Sequence, residues 1–134
     1  MTADHAALER AAASPYISLT TFRRNGVGVA TPVWAARSGD ELAVITVDGT
    51  GKTKRLAKND RVELRPCDVR GRVAQDAPTW TGRATVVRDP AAIAEVRRAI
   101  TRKYVSARVG DALNALTLGV FRRTPRAGIR IVLD

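Results

Sequence analysis

A chain of 134 residues has room for one hydrophobic core and not for two; with 45% hydrophobic and 27% charged residues its composition excludes intrinsic disorder. Lys and Arg outnumber Asp and Glu 23 to 13, and the net charge of +10 points to an anionic partner or, more simply, to a solvated basic surface. A single cysteine, Cys67, and a single histidine, His5, exclude a disulfide framework, a Cys/His metal centre and Ser/His or Cys/His nucleophilic catalysis, while 4% aromatic content leaves little for stacking nucleic-acid bases.

Residues 1–134 read as one domain. The segment Thr2 to Ala13 is alanine-rich, with Thr2 as a cap and Ser14-Pro15 as a stop, and predicts a short leading helix. Its acidic Asp4 and Glu9 and its lack of a long apolar run argue against a signal peptide or a membrane span, and together with the lone cysteine they point to a reducing cytoplasm. Tyr16 to Phe22 then alternates, with Ile17 and Leu19 on one face, as a half-buried strand. Asn25-Gly26 suits a tight hairpin turn, and Val27 to Ala35 follows as a second strand whose Pro32 argues for an edge or a bulge. The turn Arg37 to Asp40 leads to a third strand, Glu41 to Val47, so three consecutive strands are expected to form an antiparallel meander.

Asp48 to Gly51 breaks the pattern and opens a basic turn or two of helix, Lys52 to Lys58, closed by Asn59-Asp60. Arg61 to Arg65 alternates as a strand that Pro66 ends, Asp68 to Pro78 reads as a loop, and Thr79 to Val87 as the next strand. Asp89-Pro90 is a helix start, because Asp accepts from free N–H groups and Pro at the first position has no donor to waste. The stripe Ile93, Val96, Ile100, Tyr104 packs that helix on the sheet. Val109 to Val120 is apolar without a clear period, and is a second short helix, a loop or an interface segment. Ala127 to Leu133 closes the chain as a sixth strand. The fold class is therefore mainly β, with six antiparallel strands and two or three short helices.

Carboxylates suited to acid or base work are few, and Asp40, Asp48, Asp60 and Asp89 stand where turn formation or capping accounts for them. No catalytic side chain and no metal ligand set is assigned. A chain without an obvious acid or nucleophile is still an enzyme if a bound cofactor carries the reaction. The strongest constellation runs from Thr46 to Arg55. Gly49 and Gly51 let the backbone bend close to a ligand, the first helical N–H groups are unpaired, and Lys52, Lys54 and Arg55 add charge, with hydroxyls from Thr46, Thr50 and Thr53. It reads as an anion cradle, set against the alternative of a solvated basic turn. A Walker-type nucleotide loop is excluded, because that pattern needs a glycine where Thr46 stands.

The order of these pieces resembles the pyridoxamine-phosphate-oxidase-like superfamily of split β-barrels, specifically the flavin/deazaflavin oxidoreductases of the F420-binding B type. The resemblance covers most of the chain: Tyr16 to Phe22, Asn25-Gly26, Ala30-Thr-Pro-Val-Trp34, Gly51-Lys-Thr-Lys-Arg-Leu56, Asn59 to Cys67, Trp80 to Val87, Asp89-Pro90 and Arg102-Lys-Tyr104. It implies a six-stranded split barrel that forms a homodimer, with two cofactor sites in grooves between the subunits. By the same resemblance, Lys52, with Lys54 and Arg55 beside it, grips the cofactor phosphate, and Thr31, Pro32 and Val33 border the ring system. Thr50 departs from the family pattern, standing where serine is common, and Ala35-Ala36 follow Trp34 where a bulkier residue is usual. Trp34 itself either stacks on a ligand or fills the core.

The implied cofactor is F420, favoured over FMN because its phosphate and glutamate tail suit a strongly basic site. The implied activity is hydride transfer between F420 and an organic substrate such as a quinone, an enone or a tetrapyrrole. The alternatives are a non-catalytic F420, FMN or heme carrier and, less favoured, a basic nucleic-acid-binding domain. No membrane partner is expected.

Overall fold

The computed structural model describes residues 5–104 and 126–134. The Thr2 cap and the tract from Val109 to Val120 lie outside the described residues.

Helix α1 (His5–Ala13) buries Leu8 and Ala11, spaced to share one face, and ends where Ser14 Oγ donates to the Arg10 carbonyl at 2.9 Å. Strand β1 (Tyr16–Phe22) places Ile17, Leu19 and Thr21 on one fully buried face. Gly26, at φ 88°, turns the chain, and Asn25 Oδ1 accepts from the Val27 N–H at 3.1 Å. The chain continues through β2 (Gly28–Val33), β3 (Ala35–Ser38), β4 (Glu41–Val47), α2 (Gly51–Lys58), β5 (Arg61–Cys67), β6 (Trp80–Val87), α3 (Pro90–Tyr104) and β7 (Arg126–Leu133).

Among the described residues seven strands pair antiparallel in the order β2-β1-β5-β6-β7-β4-β3. The two edge strands, β2 and β3, are separated in the chain by Trp34 alone. That short link draws the edges toward each other and curls the sheet into a half-barrel, a mainly β split barrel with three helices among the described residues. The expected six strands become seven at this point. The predicted single strand Val27 to Ala35 breaks at Trp34, its first part pairing with β1 and its second with β4. A simple meander of three strands does not form, because the middle segment divides between the two edges.

Pro32 does lie on an edge strand, opposite Ser18, where a missing N–H costs no ladder bond on the open side. Pro66, expected to end its strand, instead sits within β5 opposite Ile17. The pairing of β5 with β6 stops at Leu64, so Pro66 faces no second neighbour and is tolerated.

The inner core joins Leu8, Ile17, Leu19, Leu42, Val44, Leu56, Val62, Leu64, Ile129 and Ile131. A second cluster on the outer face packs Val96, Ala99 and Ile100 of α3 against Ala36 and Ala43. Asp89 caps α3 as expected, accepting from the Ala92 N–H at 3.0 Å. Close approach of β6 and β7 depends on Gly82. A Cβ there would strike the Val132 carbonyl oxygen and stand 3.2 Å from Leu133 Cα, both backbone atoms that cannot rotate aside. Gly82→Ala is expected to cost about 1–3 kcal/mol of stability, as overpacking does; thermal denaturation checks it through a fall in Tm of several degrees.

The end of α3 is tied to the start of the barrel. Lys103 Nζ donates to the carbonyls of Ser14 at 2.8 Å and Ala35 at 2.6 Å. The Tyr104 hydroxyl accepts from the Ala35 N–H at 3.2 Å and donates to the Pro15 carbonyl at 2.9 Å. Trp34 stacks on the Tyr104 ring, centroids 4.5 Å apart and planes 14° from parallel. Trp34 therefore serves the outer core, where the small Ala36 lets this cluster close over β3.

Burial lowers the Lys103 ammonium from its ordinary 10.5 to about 8 and raises the Tyr104 phenol from 10.0 to about 12. Between these two lysine values the unfolded chain holds a proton that the folded chain has released, so the Lys103 contribution to stability grows as pH rises from about 8 to 10.5. Tyr104 acts oppositely: its contribution is full below pH 10 and is lost as pH rises toward 12. Denaturation midpoints across this range, taken as the difference between wild type and Lys103→Met, should climb from pH 8 to 10.5; a flat difference would contradict the assignment.

Candidate functional site

Strand β4 carries Thr46 on the same inner face as Leu42 and Val44, where it is buried. Beyond Val47 the chain turns through Gly49, at φ 78°, into α2. Asp48 pins this turn. Its carboxylate accepts from Arg88 Nε at 2.8 Å, from the second Arg88 nitrogen at 3.0 Å and from the Gly49 N–H at 2.8 Å. The Arg88 hydrogen bond holds the Asp48 carboxyl below the usual carboxylate range. Its role is that of the turn-former expected from the sequence, reinforced by a partner 40 residues away.

Thr50 occupies the N-cap position in an extended conformation, φ −73° and ψ 168°. Its carbonyl accepts from the Lys54 N–H at 3.2 Å and from Thr53 Oγ1 at 3.0 Å, yet its own hydroxyl makes no capping bond. Thr50 Oγ1 is buried without a hydrogen-bond partner, and so is Thr31 Oγ1 on β2. An unpaired buried hydroxyl costs about 1–3 kcal/mol, and a bound polar ligand would relieve that cost.

Helix α2 lies against β1 and β6 and buries Thr53 and Leu56. From this face Arg55 reaches across to β1, its Nε donating to Thr21 Oγ1 at 2.6 Å. The guanidinium folds back over Gly51, where a Cβ would stand 2.5 Å from Arg55 Nη1; a glycine there makes room for the cation. Lys52 is half-buried, and its ammonium is lowered first by that burial and then by the Arg55 charge. Among the described residues, carboxylates pair with Arg72, Arg83, Arg88 and Arg130, while Lys52, Lys54 and Arg55 have no ion-pair partner. Two adjacent cations held at an open helix N-terminus without a counterion form a site whose field favours an anion.

The β1–β2 register sets Thr31 opposite Leu19 and Val29 opposite Thr21. Thr31 therefore shares the face of Thr21 and lies one diagonal step from it, about 7–8 Å between Cα atoms by sheet geometry. Val33 shares that face and packs on the inner core. Of the residues singled out from the sequence, Gly51 and Lys52 thus neighbour Arg55, which alone of them reaches Thr21, with Thr50 at the N-cap of the same helix and Thr31 on the strand beside β1. Thr53 spends its hydroxyl on the Thr50 carbonyl. Lys54 is exposed, and the Pro32 side chain lies on the opposite face, its ring against Gly71. Thr21 was missed by sequence reasoning. Its position in line with Ile17 and Leu19, a hydroxyl at the end of an apolar face, is the signal that marks it.

A cavity of about 320 Å³ borders the other flank of α2, lined by Leu56, Ala57, Ala84, Val86 and Arg88 among others. Among the described residues, His, Cys, Asp and Glu form no group of three able to hold a metal ion, and no helix is long and apolar enough to cross a membrane.

No curated protein sequence matches the chain. Several solved structures share its fold at low identity. HutZ, the heme storage protein of Vibrio cholerae, is 12% identical at a TM-score of 0.65, with 100% of this chain and 92% of that one covered. A FAD-binding protein from Mesorhizobium loti is 15% identical at a TM-score of 0.63, with 95% and 86% covered. A structure described as an F420 reductase is 18% identical at a TM-score of 0.58, with 94% and 92% covered. The family model of pyridoxamine 5'-phosphate oxidase matches residues 3–128, nearly the whole length, and the chain belongs to that family.

Proposed function

We propose that this protein is an F420-dependent oxidoreductase that transfers a hydride between the deazaflavin and an electron-poor organic substrate such as a quinone, an enone or a tetrapyrrole. The observation that carries this reading is the pair Lys52 and Arg55, uncountered by any described carboxylate and set beside the unpartnered hydroxyl of Thr50. Lys52 and Arg55 would hold the cofactor phosphate by charge-assisted hydrogen bonds, with the first N–H groups of α2 adding neutral donors. The Thr31 hydroxyl and the backbone of Thr31 to Val33 would border the ring. When bound, F420 supplies the hydride donor or acceptor; the protein binds and orients it.

F420 is preferred to FMN because its phosphate and glutamate tail match a chain of net charge +10. The proposal includes a cytoplasmic homodimer with the cofactor groove between subunits. It is supported by family membership and by the shared fold of the F420 reductase and the FAD-binding protein. The likeness to the heme storage protein HutZ favours a second reading, a non-catalytic carrier. Turnover separates the two. Reduced F420 mixed with the protein and a panel of quinones and enones should be oxidised faster than in the protein's absence; F420 binding with no acceptor-dependent oxidation across the panel would favour the carrier.

A further inference from the structure

At the end of β4 remote from α2, the β3–β4 turn and α3 border two adjoining grooves. The smaller, about 200 Å³, is lined by Arg37, Ser38, Gly39, Glu95, Arg98 and Arg102, together with Ala99. The larger, about 480 Å³, shares Arg37, Gly39, Ala99 and Arg102 with it and continues over Ala12, Ala36 and Lys103, whose ammonium donates to the Ser14 and Ala35 carbonyls. A cationic rim thus meets a floor of three alanines.

The rim is ordered by the fold. Gly39, at φ 62°, makes the turn, and its carbonyl accepts from Arg37 Nε at 2.9 Å, which aims that guanidinium. Arg98 and Arg102 stand four residues apart on the exposed side of α3. Four other arginines are paired with carboxylates, yet among the described residues Arg37, Arg98 and Arg102 have no ion-pair partner, although Glu95 lines the same groove. Three guanidinium groups around a concavity repel one another, and a ligand with several acceptor oxygens relieves that repulsion while using their planar donor forks.

We propose that this groove is a second ligand site, separate from the α2 cradle, for a phosphate monoester with an apolar body. The phosphate lies among Arg37, Arg98 and Arg102, and the apolar body covers Ala12, Ala36 and Ala99. The alanine floor is what separates this ligand from inorganic phosphate, since burying methylene groups adds affinity that a bare anion cannot gain.

Isothermal titration of the intact protein with inorganic phosphate and with decyl phosphate below its micellar range tests the proposal. Decyl phosphate should bind at least about tenfold more tightly than phosphate, and Arg98→Gln/Arg102→Gln should lose about tenfold or more of that affinity, as expected for removal of charged hydrogen bonds. Arg24→Gln/Lys58→Gln, which removes the same charge elsewhere, should remain within about twofold of wild type. Equal losses in the charge-matched control, or full binding by Arg98→Gln/Arg102→Gln, would each overturn it.

Discussion

Arg55→Ala is expected to weaken F420 binding by about tenfold to a hundredfold, and Lys52→Ala by a similar factor. Each removes a charged hydrogen-bond donor, a change of about 1.5–3 kcal/mol, and each 1.4 kcal/mol is about a factor of ten. Arg55 is the more specific of the two, because its Nε is committed to Thr21 at 2.6 Å and its remaining nitrogens are thereby oriented over Gly51. A lysine at position 55 keeps the charge but lacks the fork that bonds Thr21 and the ligand together, so Arg55→Lys should recover only part of the affinity. Gly51→Ala should mimic Arg55→Ala, since a Cβ at that position displaces the guanidinium. All of these variants should remain folded, with circular dichroism unchanged. F420 affinity unaltered in all of them would remove the phosphate clamp from the account while leaving the fold intact.

Tyr104→Ala is expected to destabilise the protein by about 3 kcal/mol, the lower end of the range for truncating a core aromatic, because the ring is partly buried. The ring stacks on Trp34, and its hydroxyl bonds both Ala35 and Pro15, so one side chain joins α3, β3 and the α1–β1 junction. Tyr104→Phe keeps the stack and loses only the hydroxyl bonds, at a cost of about 1–3 kcal/mol for the groups left unpaired. Urea denaturation of the two variants separates stacking from hydrogen bonding. Equal losses in both would assign the whole effect to the hydroxyl.

The sequence made the strands legible wherever one face was apolar and the other polar. Ile17 and Leu19, and Val62 and Leu64, proved to be buried as their alternation implies, and Leu42, Val44 and Thr46 of β4 are buried as well. The start of α3 was legible from Asp89-Pro90 because capping is a local event. The break at Trp34 was not, since nothing in the local alternation of Thr31, Val33 and Ala35 shows that the strand changes partners; the cause is pairing with β1 on one side and β4 on the other. Pro66 misled for a related reason. Its tolerance depends on where β6 begins, at Trp80, which is information held 14 residues further on.

In the candidate site, glycines and cations clustered in sequence were visible at once. The contacts that arrange them were not. Arg55 with Thr21 and Asp48 with Arg88 join residues 34 and 40 positions apart, and charge alone does not tell which of 23 cations finds a carboxylate.

The central claim, that the α2 cradle holds a deazaflavin, is tested most directly by titrating the purified protein with F420 and, separately, with FMN. The account predicts saturable F420 binding in the low-micromolar range or tighter, stronger than that of FMN. If neither cofactor binds below the high-micromolar range, the claim is contradicted.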